Sequence, residues 1–131
     1  VDVTTLLDEL DTALTAGVTN VTVFDTVPSR INPPAAVFTT GEGRYDETFE
    51  NSMRVNVQCL VLTSRSNDRA GQDKLHTFLD PTHADSVKTA VEAGTYTQDV
   101  SAVVTGWDAP ATLDVAGTSY FVVAFQIEAI D

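Results

Sequence analysis

Period-two alternation is clearest between Met53 and Leu62. Met53, Val55, Val57, Cys59 and Val61 alternate with Arg54, Asn56, Gln58, Leu60 and Leu62, the pattern of a strand with one buried face. The second face turns apolar only at Leu60 and Leu62. That predicts a strand that starts at a rim and ends covered on both sides. A polar junction, Ser64-Arg65-Ser66-Asn67-Asp68-Arg69, follows. Ser66 or Asn67 is suited to cap a helix, because a short side-chain oxygen accepts the unpaired N–H groups of the first turn. Gly71, Leu75, Phe78 and Leu79 continue at helical spacing, and Asp80-Pro81 ends that helix.

The rest of the chain is organised around this unit. Val3, Leu6, Leu7, Leu10, Ala13 and Leu14 share one helical face, predicting an amphipathic helix over 3–16. Asp2 is its N-cap candidate, and Gly17 suits a left-handed C′ position. Residues 21–24 read as a short strand and 28–34 as a stiff proline connector. Residues 35–40 read as a second strand. Residues 41–52 carry loop chemistry, yet Arg44, Tyr45, Thr48 and Phe49 sit among the glycines and acids. The expectation is a protruding arm whose aromatic residues bury against a partner. Residues 82–93 hold a short helical piece with Val87, Ala90 and Val91 inward and Gly94 closing it. A strand over 99–105, a break or bulge at 106–110, a small hairpin through Ala116-Gly117 and a last strand over 118–130 complete the chain. Phe121, Val123, Phe125 and Ile127 give that last strand its apolar face.

Helices packed on one face of such strands predict a single α+β domain over 1–131. Its sheet is mostly antiparallel or mixed, with four to five strands. An N-terminal helix and a central helix cover one face. At 131 residues and 43% hydrophobic, the chain is large enough to bury a core without a metal or disulfide staple. Cys59 is the only cysteine, so no intrachain disulfide forms. No apolar run reaches bilayer length, and no basic segment precedes an apolar one at the start, so neither membrane association nor a secretory signal is expected.

Charge narrows the function. Seven basic residues against nineteen acidic ones give a formal net charge of −12, which opposes tight binding to a phosphate backbone. Chemistry is sparse. His76 reads as a surface residue, and Asp80, His83 and Asp85 match no ligand spacing of known geometry. A cysteine inside a valine-rich strand is usually inert. No G-x-S-x-G, P-loop or G-x-G-x-x-G is present. No catalytic residue, cofactor or metal is therefore assigned, and enzyme activity is not expected.

Several segments together resemble the tail terminator, or tail completion, proteins of long-tailed bacteriophages, especially those infecting actinobacteria. The carriers are Val27-Pro28, then Ile31-Asn32-Pro33-Pro34-Ala35-Ala36, then Tyr45-Asp46 with Thr48-Phe49. The most specific is the S-R-x-x-D-R-A-x-Q-D-x-L run from Ser64 to Leu75, followed by Leu79-Asp80 and Ser86-Val87-Lys88. The resemblance covers nearly the whole chain. It implies a small domain that assembles into a homohexameric ring on the end of the tail tube, in the virion, after assembly in the host cytoplasm. Its partners would be itself, the major tail tube protein and the head–tail connector, with DNA passing through the lumen unbound. The family carries no catalytic residues. Arg44, Tyr45, Asp46, Phe49 and Arg69 are the expected contacts between subunits or with partners. An acidic lumen would repel phosphates, whereas a lumen lined by Arg30, Arg44 and Arg54 would speak against that idea. Two alternatives stand beside this one: another neck, head-completion or tail-tube subunit, and a small-molecule-binding or enzymatic ferredoxin-like α+β domain. The last predicts a concave apolar pocket with converging polar groups.

Overall fold

The computed structural model describes residues 2–18, 21–24, 34–45, 53–65, 73, 76–84, 86–97, 100–115 and 117–130. The connector at 25–33, the 46–52 stretch and the polar junction after Arg65 lie outside the described residues.

Helix α1 spans Val3–Gly17 and buries Leu6, Leu10, Ala13 and Leu14. Asp2 caps it, accepting the Thr5 N–H at 3.3 Å on one carboxylate oxygen and the Thr5 hydroxyl at 3.1 Å on the other. The far end differs from expectation. Gly17 is the last helical residue, and Val18, in extended conformation, donates its N–H to the Leu14 carbonyl. Gly17 is needed for space instead. A Cβ there would lie 2.5 Å from Cβ of Ala90.

The strands are β1 (Thr22–Phe24), β2 (Ala35–Tyr45), β3 (Met53–Arg65), β4 (Ser101–Trp107), β5 (Ala111–Val115) and β6 (Thr118–Ile130). They form one mixed six-stranded sheet in the order β1-β2-β3-β6-β4, with β5 also on β6. Only β1 and β2 are parallel. The expectation of four to five strands was low because β5 and β4 share one neighbour. β4 pairs with the C-terminal half of β6 and β5 with its N-terminal half. Between them the Asp108 N–H donates to the Ala124 carbonyl at 2.9 Å, so of the two readings of 106–110 the bulge holds, with the register shift between Val104 and Gly106, and the ladder barely lapses.

A second correction concerns residues 41–52. Residues 41–45 are strand, not loop. The β2–β3 register slips by one residue between Thr40 and Gly43, then continues with Arg44 opposite Arg54 and Tyr45 opposite Met53. A bulge of this kind absorbs one extra residue without ending the pair. Gly41 fits it because a Cβ would lie 2.9 Å from the Asn56 carbonyl oxygen.

Helix α2 spans Val87–Glu92 and buries Val87, Ala90 and Val91, the short helical piece expected within 82–93. Ser86, almost fully buried, caps it by accepting the Thr89 N–H at 3.2 Å. Residues 81–84 form turns instead of helix. There the Asp80 carboxylate takes the Thr82 N–H at 2.9 Å and the Thr82 hydroxyl at 2.8 Å, a local alternative to helix. Residues 76–79 are helical.

The core lies between the helices and one face of the sheet. Leu6, Leu10, Leu14, Phe78, Val87 and Val91 meet Val57, Cys59, Val61, Val123, Phe125 and Ile127. The opposite face changes character along β3. Asn56 is exposed, while Leu62 is buried in a second cluster with Ala35 and Tyr120, flanked by Leu113 and Val122. The strand ends covered on both sides as expected, but it does not start at a sheet edge, since Arg54 already pairs with Arg44 of β2 and Ile130 of β6.

Candidate interaction surface

The predicted contact residues separate. Arg44 and Tyr45 sit at the end of β2, where residues 40–45 are all exposed. Tyr45 is 77% exposed. Asp46, Phe49 and Arg69 lie outside the described residues. Arg44 faces Arg54 across the β2–β3 pair, and the Arg54 Nε lies 3.5 Å from the Glu128 carboxylate on β6. Two cations and one carboxylate thus share the polar end of the outer face.

The second exposed stretch was missed in the sequence. On β4, Val103 is 44% and Trp107 49% exposed. The signal was present, since Val103 and Val104 are adjacent and a one-faced strand cannot bury both. Trp107 is subtler. The β4–β6 register shifts between Val104 and Gly106, so Trp107 falls opposite Phe125. A shift of one residue moves a side chain to the other face.

β4 ends the strand order on one side, and its outward backbone is partly engaged. The Val104 N–H turns away from β6 and donates to the Glu92 carboxylate at 3.2 Å. Lys88, one turn earlier on α2, pairs with the same oxygen. Residue 92 therefore bridges the α2 face and the sheet edge.

A further concavity lies elsewhere. A groove of about 710 Å³ runs between α1 and α2, floored by Ala13, Ala16, Gly17, Ala90 and Ala93. That size suits a small ligand, but its polar groups are committed to the protein. Glu9 accepts the Thr97 N–H at 2.8 Å and the Thr97 hydroxyl at 2.9 Å. The Thr12 hydroxyl donates to the Asp8 carbonyl and that of Thr89 to the Pro81 carbonyl. Nothing charged converges on a shared point.

The titratable groups follow the same logic. Burial, and secondarily the Asp11 charge, push the Cys59 thiol far up, which leaves it a poor nucleophile. Thr82, through its backbone N–H first, holds the exposed Asp80 carboxyl below its usual range. Burial, with a smaller contribution from Glu9, raises the Tyr96 phenol to about 12, and its hydroxyl donates to the Val91 carbonyl at 2.6 Å. Among the described residues no group of three or more His, Cys, Asp or Glu side chains is placed to hold a metal ion. Nor is any helix among them long and apolar enough to cross a membrane.

Comparison with protein-family models gives no match, and comparison with curated protein sequences gives none either.

Proposed function

We propose that this chain is a structural subunit of a long-tailed phage virion. In this reading it is the tail terminator, whose ring caps the tail tube, stops its polymerisation and offers the docking surface for the head connector. The sequence resemblance through Ser64–Leu75 points to that family. The physical observation that carries a self-assembling reading is the placement of exposed apolar side chains. Among the described residues the large ones are Tyr45, Val103 and Trp107; Val103 and Trp107 lie on the margin strand β4 and Tyr45 at the far end of β2. Apolar groups so placed favour a partner surface, and subunits of a closed ring must each present two different patches.

The net charge of −12 fits a ring through which DNA slides. A lumen of like sign to the phosphates holds no counterion-releasing contacts. The groove between α1 and α2 is the observation that favours a ligand-binding domain, and its self-satisfied threonines weigh against that alternative.

The test is assembly. Purified protein mixed with polymerising tail tube protein should cap tubes and fix their length, and negative-stain images of phage lacking it should show overlong tails unattached to heads. Tubes that lengthen unchanged in its presence would overturn the reading. Unlimited polymerisation of the chain by itself would favour a tail-tube subunit.

A further inference from the structure

We propose that copies of this chain join by pairing two different strand edges. β4 of one copy adds to residues 40–45 of β2 on the next, and Glu92 holds the β4 edge closed until a strand takes its place. This rests on the self-assembling reading above and names its surfaces and its latch.

The two segments lie on opposite margins of one sheet. β4 ends the strand order on one side. On the other, among the described residues β1 pairs with β2 at Ala35, Ala36 and Val37, and β2 continues to Tyr45 with residues 40–45 exposed. The lengths match, seven residues of β4 against six at the end of β2. A strand docked on either margin extends the sheet, so such contacts run head to tail, the arrangement that closes into rings.

Composition supports pairing. Natural sheet edges are usually blunted by charge or proline. β4, Ser-Ala-Val-Val-Thr-Gly-Trp, has neither. Tyr45 stands on one segment, and Val103 and Trp107 on the other. Tyr45, opposite Met53, and Trp107, opposite Phe125, share the helix-covered face, so in an added strand these two can become cross-strand neighbours, while Val103, opposite Glu128, stands on the other face.

Glu92 supplies control. An incoming strand needs the outward N–H of Val104, and that amide is donated to the Glu92 carboxylate, which Lys88 holds in place. Docking must displace it. A latch of this kind keeps free copies apart until a high local concentration outcompetes it.

The experiment measures self-association of the full chain by sedimentation velocity over a wide concentration range, with circular dichroism checking each fold. Val103→Lys and Tyr45→Lys, both at exposed positions, should each weaken association about tenfold or more; Trp107→Lys serves as a second β4 variant. Mixed one to one, Val103→Lys and Tyr45→Lys should form a pair and stop there, because each keeps one intact edge. Glu92→Ala should strengthen association severalfold. The inference is overturned if the wild type stays monomeric throughout, if the lysine variants associate like the wild type, or if Glu92→Ala does not strengthen association. It is also overturned if the β4 variants alone lose association, which would mean β4 pairs with β4. Capping of tail tubes by the same variants keeps the two readings apart: tubes still capped by edge variants would sink the edge pairing and leave the terminator standing.

Discussion

Three glycines separate two reasons for having no side chain. Gly17 and Gly94 are both placed where a Cβ would collide. The first would lie 2.5 Å from Cβ of Ala90 and the second 2.6 Å from Cβ of Ala13, so each helix leans on the end of the other. Gly117 has open space around it but a φ of +83°, a region side chains disfavour. Gly17→Ala should therefore lower stability by about 1–3 kcal/mol through overpacking, although alanine is the better helix former by about 1 kcal/mol. Gly117→Ala should cost about 1–2 kcal/mol for its backbone alone. Urea denaturation of both variants measures this, and a stabilised Gly17→Ala would show that the two helices can move apart. Cys59 is fully buried, so its thiol should ignore a disulfide reagent until the protein unfolds. Rapid labelling of the folded chain would contradict the packing. Tyr96 makes stability depend on alkaline pH. Its folded value is raised from 10.0 to about 12, so the unfolded chain loses that proton first. The Tyr96 contribution is then unaffected below about pH 10 and falls as pH climbs from there toward 12. Tyr96→Phe should flatten that part of the fall in alkaline denaturation curves, leaving the share due to Cys59.

Among the elements, α1 shows how far local rules go. Its apolar stripe and its Asp2 cap are both legible in the sequence, because each depends only on residues three or four apart. Asp2→Ala should cost about 1 kcal/mol by removing that cap. Leu10→Ala, at a position with no exposed surface, should cost about 2–5 kcal/mol because a cavity remains. Thermal melts rank the two, and a larger loss at Asp2 would mean the helix is held by its end and not by its stripe. The sheet is less local. Bulges at Thr40/Gly43, Leu62/Arg65 and Val104/Gly106 each add a residue to one strand of a pair. A bulge belongs to two strands at once, so a sequence segment can hint at one, as Gly106 does, but not fix its register. That is why residues 41–45 read as loop and why Trp107 could not be assigned a face. The candidate surface was thus half legible. Tyr45 and Arg44 stood out as unusual company for glycines, whereas Val103 gained meaning only once β4 proved to be the margin of the sheet.

For the whole molecule the dominant quantity is charge. Copies bearing −12 each repel one another, and salt shortens that repulsion to about 10 Å at 0.1 M. Self-association should therefore strengthen as sodium chloride rises, the reverse of an assembly driven by opposite charges. Sedimentation velocity at low and high salt measures this, and assembly weakened by salt would assign the interface to ion pairs such as Arg44 with Glu92 instead of apolar contact.

By itself the sequence determined the class of fold, the two helical stripes, the two long strands and the sparseness of reactive groups, since periodicity and composition act within a few residues of chain. Only tertiary structure decided the strand order, the shared neighbour of β4 and β5, and the collisions that make Gly17 and Gly94 necessary. The same is true of the bond from Val104 to Glu92, twelve residues away. Each of these is a property of two surfaces meeting, and a single segment carries no record of what it will meet.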